Sequence, residues 1–448
     1  MKRSRRHQGG VSLGTIVMLT FTALVLVSFA AILPTFTGNQ DIRIDAGKLA
    51  VAMDESLSQL AASTGEMLQS QNVSLPLAVP LPTTQTVTAM STAVVTATPV
   101  PVTPPPRLSF SLCATGSIIL NSSVQKALTD GGEYEFGILT DQISGALAAD
   151  LSIATFENSV IGDAKLSNTN MPAEMLAPFA QAGINALNLG HRDALNSGLD
   201  GLKATLDSIR TAGFLPFGLS TFEGAPQTML HLNGITVAVL SYQDKLSSTG
   251  RKQTSEAERA FLFKVPELQT IADDIASVRA AGAQVVVVSL CWGKDGADKP
   301  TDDQRKLAQG IADAGADIIL GSGTGVLQPV QLLSADRGDQ KYHPVLCAYS
   351  LGNLMTHDRE KRVNLATILL KTSVVYDQVT GCVAFDNLTY TPTYAWRGKD
   401  DGRTLYRILL NNGGPLPSFV DANQQGVMER CYKLVTGVMA DTGIPMAQ

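Results

Sequence analysis

The chain has 448 residues, of which 44% are hydrophobic and 17% are Asp, Glu, Lys or Arg, and its formal net charge is −6. This length is sufficient for one sizeable α/β domain with accessory segments. The first 35 residues contain four basic and no acidic side chains, so the rest of the chain is more acidic than the total indicates. An acidic surface lacks the clustered Lys and Arg that nucleic-acid binding requires, and no nucleic-acid partner is expected.

Residues 11–35 form an apolar stretch without an ionisable side chain. At 1.5 Å per residue such a helix spans a hydrocarbon core of about 30 Å. The basic residues of segment 1–10 precede it, and the positive-inside rule places that tail in the cytoplasm. The pattern predicts a single-pass cell-membrane protein with its main domain outside the cytoplasm. A cleaved signal peptide is the alternative, although its apolar region is usually only about 7 to 15 residues.

Two further segments precede the main domain. In residues 36–75, Leu49, Met53, Leu57 and Leu60 recur at helical spacing, which predicts a short extracytoplasmic helix; a frayed, solvated helix is the alternative. Residues 76–106 are rich in Pro and Thr and carry no charge, as is typical of an extended linker or stalk.

From residue 107 onward, apolar β-rich runs alternate with helical periodicities, and segments 198–213 and 266–282 both end at glycine. This alternation predicts α/β architecture with a largely parallel sheet covered by helices. Runs 364–376 and 382–394 follow one another without a helix between them, which predicts an additional antiparallel portion. We expect one domain over residues 107–400, followed by an extension at 401–448. The five cysteines are scattered without a C-x-x-C pair, and we interpret them as packing residues.

Sites in α/β sheets form where strands end, so the turns after the predicted strands are candidates. Glu157 could act as a carboxylate ligand or base, or be a solvated turn residue. The triplet 191–193 could bind an anion through Arg192 and titrate through His191, although an Arg-Asp pair in a turn is commonly structural.

Two other turns carry open alternatives. The glycine-rich turn at residues 321–325 exposes backbone N–H groups that could cradle a phosphate or carboxylate, or it is simply a flexible turn. Trp292 could stack on a ligand or close the core at the sheet edge.

Seven blocks, at residues 114–120, 155–160, 188–202, 289–295, 320–328, 348–354 and 391–397, occur in an order that resembles the bacterial capsule-synthesis CapA family, which is associated with poly-γ-glutamate capsules. The resemblance covers roughly residues 107–397. It implies a calcineurin-type metallophosphoesterase fold, which is a four-layer α/β/β/α sandwich with metals at the strand ends.

The resemblance also implies that the metal-ligand motifs are degenerate. The family's first-turn carboxylate is replaced by Ser117, and its Asn and His ligands in the third block are replaced by Arg192 and Asp193. The family's H-W-G reads Cys291-Trp292-Gly293, and its G-H-H-P-H reads Gly-Ser-Gly-Thr-Gly at residues 321–325. Only the acid of the second block, Glu157, is kept. No cofactor is expected; the alternative is a divalent metal held by Glu157, His191, Cys291 and His357.

Three functions are therefore open, and enzyme activity is undecided. The first is a degenerate protein of capsule or poly-γ-glutamate (exopolymer) biosynthesis, with the membrane, a cell-surface polymer or exopolymer-synthesis membrane proteins as partners; its expected ligand-binding residues are Ser117, Arg192, Trp292, Ser322 and Asn353. The second is an active metal-dependent hydrolase of a phosphoester or amide bond in such a polymer, with Glu157, His191 and Asp193 as catalytic residues. The third is a purely structural stalked module.

Overall fold

A computed structural model describes residues 107–162, 167–219, 228–359, 361–400 and 402–447. The predicted cytoplasmic tail, anchor, short helix and linker at residues 1–106 lie outside these residues. Among the helices that the structure does describe, none combines the length and apolar character needed to cross a membrane.

The strands, in chain order, are β1 Leu108–Ala114, β2 Ser117–Ile119, β3 Thr129–Asp130, β4 Glu133–Tyr134, β5 Leu151–Thr155, β6 Ala186–Asn188, β7 Leu215–Phe217, β8 Thr228–Leu232, β9 Ile235–Gln243, β10 Val285–Cys291, β11 Ile318–Ser322, β12 Val330–Ala335, β13 His343–Ala348, β14 Asn353–Thr356, β15 Ala366–Tyr376, β16 Val383–Asp400 and β17 Arg403–Leu410. The α-helices are α1 Ser122–Ala127, α2 Ala177–Ala182, α3 Gly198–Thr211, α4 Ser248–Gln253, α5 Glu256–Leu262, α6 Leu268–Ala280, α7 Asp302–Asp313 and α8 Ala422–Met439. Short 3₁₀ helices occupy Phe136–Leu139, Asp141–Ile143, Ala173–Leu176 and Arg362–Leu365.

Two large sheets organise these elements. The seven-stranded sheet has the order β17-β16-β15-β1-β5-β6-β7, and the six-stranded sheet has the order β12-β13-β11-β10-β9-β8. In the seven-stranded sheet, β1, β5, β6 and β7 are parallel to one another, and in the six-stranded sheet β9, β10, β11 and β13 are parallel. Strands β8, β12, β15, β16 and β17 pair antiparallel with their neighbours. Two smaller sheets join β2 with β14 and β3 with β4. The seven-stranded sheet is thus parallel on its β7 side and antiparallel on its β17 side, whereas the six-stranded sheet has a parallel interior with one antiparallel strand at each edge.

The six-stranded sheet is covered on both faces. In β10, Val285 and Val287 belong to a hydrophobic cluster shared with the seven-stranded sheet, whereas Val286 and Val288 belong to a second cluster that includes residues of α6 and α7. All seven residues of β10 are buried, as expected for a parallel strand with both faces covered. The alternation along one strand therefore defines a core between the sheets and a separate core under the helices.

Local sequence signals explain where the longer helices begin. Ser255, Thr301 and Asp421 precede α5, α7 and α8, and each forms a capping box with a Glu or Gln three residues later. Helix α3 buries Leu202, Leu206 and Ile209 along one face, which is the apolar stripe that a surface helix packs against a sheet.

The structure confirms the mixed α/β class with more than one sheet, and the antiparallel pairing of β15 with β16. Residues 403–410 form the outermost strand of the seven-stranded sheet, and α8 buries Met428, Cys431 and Val435 in the same core. All five cysteines lie in the described residues, and no disulfide joins any two of them there; four are buried and Cys382 is half-buried.

Candidate functional site

A cleft of about 710 Å³ lies where strands of both large sheets end. The turns after β5, β6, β9, β10, β11 and β14 contribute to its lining, among them Glu157, Arg192, Lys245, Cys291 and His357. This is the edge at which parallel α/β sheets form ligand sites. An inter-sheet hydrogen bond from Asn188 Nδ2 to Ser289 Oγ, at 3.0 Å, holds β6 against β10 close to these turns.

Glu157 follows β5 and is half-buried in the cleft wall. Its backbone N–H donates to the Ile118 carbonyl at 3.0 Å, which fixes the turn against β2. Burial raises the pKa of its carboxyl to about 7, partly offset by a hydrogen bond with the Ser117 side chain. Ser117 itself is 2% exposed, so its contact with the cleft is through Glu157. Glu157 therefore changes charge near neutral pH.

The three residues at 191–193 differ in burial and in their position relative to the cleft. His191 is 4% exposed, and its Nδ1 accepts a hydrogen bond from the Asp193 backbone N–H at 3.2 Å. Burial, followed by the neighbouring Arg192, lowers the pKa of His191 to about 3, so the imidazole is neutral at physiological pH. Arg192 lines the cleft, whereas Asp193 is half-buried and is not part of the cleft lining.

Arg192 shares a carboxylate with a second cation. Its Nη1 lies 2.7 Å from Asp295 Oδ2, and Lys245 Nζ lies 3.2 Å from Asp295 Oδ1. The three residues come from the turns after β6, β9 and β10. Partial burial acts to raise the pKa of Asp295, but the hydrogen bonds and positive charges of Arg192 and Lys245 together outweigh it and lower that pKa. Asp295 is therefore an anion at neutral pH.

Cys291 ends β10 and is 2% exposed at the base of the cleft. Burial, followed by the nearby Glu157, raises the pKa of its thiol to about 12. Thiolate is the form that binds a soft metal ion, and it is scarce here at neutral pH. Ser322 is 7% exposed and its Oγ donates to the Leu290 carbonyl at 3.4 Å, so this hydroxyl bonds to the backbone of β10.

Trp292 is part of the core. It is 3% exposed, its Nε1 donates to the Tyr349 carbonyl at 2.8 Å, and its ring stacks on that of Tyr349. A buried indole with a satisfied N–H is a packing residue, and Trp292 does not belong to the lining of this cleft.

The turn at residues 321–325 is closely packed. A Cβ on Gly321 would lie 1.9 Å from the Tyr349 carbonyl oxygen, and one on Gly323 would lie 2.9 Å from Cys291 Sγ. Asn353 is 4% exposed, and its Nδ2 donates to the Gly325 carbonyl at 3.0 Å, which fixes the end of this turn. Steric fit therefore accounts for two of these glycines.

The turn after β14 supplies the far wall of the cleft. His357 is half-buried, and burial lowers its pKa. Arg359 lies with its guanidinium 5.4 Å from the centre of the Tyr406 ring and donates to the Ala395 carbonyl. Lys361 is exposed at the rim. With Arg192 and Lys245, Arg359 and Lys361 give the cleft four basic side chains, against the three acidic side chains of Glu157, Asp295 and Asp358.

The donor set does not fit a two-metal centre. No group of three His, Cys, Asp or Glu side chains with metal-binding geometry occurs among the described residues. Of the four suggested ligands, Glu157, Cys291 and His357 line the cleft, and His191 does not.

Sequence reasoning missed five charged residues of the cleft: Lys245, Asp295, Asp358, Arg359 and Lys361. Lys245 comes two residues after β9 and Asp295 comes four residues after β10. Applying the strand-end rule to every charged residue after a predicted parallel strand would have found both. Arg359 and Lys361 belong to a charged run after a short strand that the sequence did not predict.

Comparison with known proteins gives a match to the family described as Bacterial capsule synthesis protein PGA_cap over residues 111–358. The PGA biosynthesis protein CapA of Bacillus subtilis (strain 168) is 26% identical over 249 residues, covering 54% of this chain and 61% of that protein. The capsule biosynthesis protein CapA of Bacillus anthracis is 25% identical over 256 residues, covering 55% of this chain and 59% of that protein. The chain therefore spans about three-fifths of the length of these curated relatives.

Among solved structures, the calcineurin-like phosphoesterase YfkN from Bacillus subtilis is 13% identical, with a TM-score of 0.36, covering 73% of this chain and 100% of that one. A phosphatase from Mycoplasma pneumoniae is 11% identical, with a TM-score of 0.38, covering 62% of this chain and 92% of that one. We draw no conclusion from similarity at these scores. The family match covers more than half of the sequence and extends from β1 to Asp358 in the cleft wall, and the chain belongs to the bacterial capsule synthesis protein PGA_cap family.

Proposed function

We propose that this chain acts in the biosynthesis of a capsule or poly-γ-glutamate exopolymer, as a membrane-anchored and catalytically degenerate protein whose cleft binds an anionic group of the polymer. The observation that carries the proposal is the composition of the cleft. Within a chain of net charge −6, one cleft combines four basic side chains, Arg192, Lys245, Arg359 and Lys361, with three acidic ones, Glu157, Asp295 and Asp358, so its lining has an excess of basic groups. Locally concentrated positive charge attracts polyanions even when the whole molecule is acidic.

Catalytic degeneracy is supported by the chemistry of the strand ends. Where the family resemblance expects a carboxylate, an Asn amide and an imidazole ligand, the chain carries the Ser117 hydroxyl, the Arg192 guanidinium and the buried Cys291 thiol respectively. The shared core between two sheets, with a second core under α6 and α7, supports the four-layer sandwich that the resemblance implies.

Membrane anchoring is supported by the sequence of residues 1–35, and it would place the cleft outside the cytoplasm, where a surface polymer is assembled. The partners that follow are the membrane itself, the polymer and the membrane proteins of exopolymer synthesis.

The proposal is tested by complementation. In cells lacking the encoding gene, surface anionic polymer is measured after expression of the wild type, of Lys361→Gln, or of Lys203→Gln as a control. Lys203 is an exposed lysine of α3 outside the cleft. We expect the wild type and the control to restore polymer and the cleft variant to restore less. Equal restoration by all three would show that cleft charge has no part in the function.

A second candidate is favoured by one observation, the pKa of about 7 at Glu157. A carboxyl that titrates near the working pH is suited to general acid–base chemistry, as a hydrolase of a phosphoester or amide bond in a surface polymer would require. In this case a purified chain should retain stoichiometric divalent metal and turn over such a substrate, and Glu157→Gln should abolish turnover. Metal content well below one equivalent, together with no turnover, would leave the binding function alone.

A further inference from the structure

Asp295 holds together two of the four cations of the cleft. Its Oδ2 lies 2.7 Å from Arg192 Nη1 and its Oδ1 lies 3.2 Å from Lys245 Nζ. Both carboxylate oxygens are therefore used, one on each cation. Because β6 belongs to the seven-stranded sheet and β9 and β10 to the six-stranded sheet, the bridge connects turns from both sheets across the cleft.

The bridge is accessible to solvent. The side chains of Arg192 and Asp295 are 49% and 60% exposed, and that of Lys245 is 24% exposed. Exposed ion pairs of this kind contribute little to stability, so the fold does not depend on them. Arg192 and Lys245 could bind an external anion in the way they bind Asp295, since an Arg guanidinium and a Lys ammonium both bind carboxylate or phosphate oxygens.

The turn that carries Asp295 is itself held in place. Gly293 and Gly296 flank it with φ of +77° and +75°, and the Gly296 N–H donates to the Thr324 carbonyl at 2.8 Å. Residues other than glycine rarely adopt these φ values. The hydrogen bond from Gly296 to Thr324 holds this turn against the turn after β11, and rotation of the Asp295 side chain can move its carboxylate away from the two cations without breaking that backbone contact.

We propose that Asp295 is an internal counter-anion that occupies the anion-binding pair Arg192 and Lys245 until a ligand carboxylate or phosphate displaces it. Identifying that ligand as a carboxylate of a polymer rests on the proposed function, whereas the displacement itself does not.

This arrangement selects for multivalent anions. A single external anion exchanges two ion pairs for two similar ones, so it binds weakly. A polymer with anions along its length can displace Asp295 and also reach Arg359 and Lys361 in the same cleft. Linked contacts raise the effective concentration of each further group, which favours the polymer over its monomer.

The test is calorimetric titration of the full chain, in detergent, with inorganic phosphate and separately with a γ-linked glutamate tetramer. The variant is Asp295→Asn, and the matched control is Asp298→Asn. Asp298 is an exposed acid on the same turn that is not a partner of Arg192 or Lys245. We expect Asp295→Asn to bind both probes about fivefold to tenfold more tightly than the wild type, the size expected from removing two exposed ion-pair competitors. The control should leave affinity unchanged, and adding Lys245→Gln to Asp295→Asn should reverse the gain.

Unchanged or weaker binding in Asp295→Asn, equal effects of both Asp variants, or no binding of either probe by any variant would overturn the proposal. Tighter binding of phosphate without any binding of the glutamate tetramer would support the displacement mechanism while contradicting the glutamate-polymer function. The complementation experiment gives the same distinction. If all variants restore polymer equally while Asp295→Asn still binds phosphate more tightly, the displacement mechanism is supported and the proposed function is contradicted.

Discussion

Glu157 provides a quantitative test of how burial in the cleft wall changes the pKa of a carboxyl and, through it, the stability of the protein. Burial raises the pKa of its carboxyl from the ordinary value of 4.5 to about 7. The folded protein therefore keeps this proton between pH 4.5 and pH 7, where the unfolded chain has already released it. Because the native state binds more protons over this window, stability falls as the pH rises through it and levels off above pH 7. A difference of 2.5 pH units corresponds to about 3 kcal/mol in the free energy of unfolding.

The substitution Glu157→Gln removes the titration and keeps the shape of the side chain. Relative to the wild type, the variant should gain about 3 kcal/mol of unfolding free energy between pH 4 and pH 8, on top of a constant offset. Urea denaturation can follow this through the fluorescence of Trp292 and Trp396, which are 3% and 0% exposed. The control is Glu174→Gln, at an exposed acid of the 3₁₀ helix Ala173–Leu176.

A second variant tests the physical cause of the raised Glu157 pKa. The Ser117 hydroxyl hydrogen-bonds the Glu157 carboxyl and opposes the effect of burial. Ser117→Ala should therefore move the upper end of the pH window to higher pH. A difference between Glu157→Gln and the wild type that stays constant from pH 4 to pH 8 would refute the desolvation argument.

Other predictions concern the residues around the cleft. In the native protein at pH 8, iodoacetamide should modify half-buried Cys382 and leave Cys291 intact, because the Cys291 thiol is buried with a pKa of about 12; mass spectrometry showing equal modification of both would contradict this. Trp292→Phe should reduce the free energy of unfolding by about 1–3 kcal/mol, because the Tyr349 carbonyl loses its donor in a buried site, and should leave anion affinity nearly unchanged in a titration. Gly321→Ala should lower the thermal midpoint more than Trp292→Phe does, since its Cβ would lie 1.9 Å from the Tyr349 carbonyl oxygen; an unchanged midpoint would show that this close approach is not maintained.

Much of the fold could be predicted from local sequence. The run at residues 284–290 is apolar at nearly every position, which specifies a strand buried on both faces, and β10 is such a strand. Helix α3 follows from apolar residues at every third or fourth position, since this spacing places them on one side of a helix. These signals are local because they depend on the repeat of one element, and they do not require knowledge of its partners.

The candidate site depended on tertiary structure to a greater degree. The sequence predicted that Glu157 and Arg192 follow strand ends, and the cleft brings both of them into its lining. It did not show that His191, next to Arg192 in the chain, is buried and kept neutral, because desolvation depends on atoms contributed by distant segments.

The Asp295 bridge shows the same division between sequence and tertiary structure. The chain separates Arg192 from Asp295 by 103 residues and Lys245 from Asp295 by 50, and no periodicity or motif relates them. The sequence by itself determined which residues follow the strands. Only the packing of two sheets decided which of those turns meet, since strand order and register set the distance between side chains that are remote in the chain.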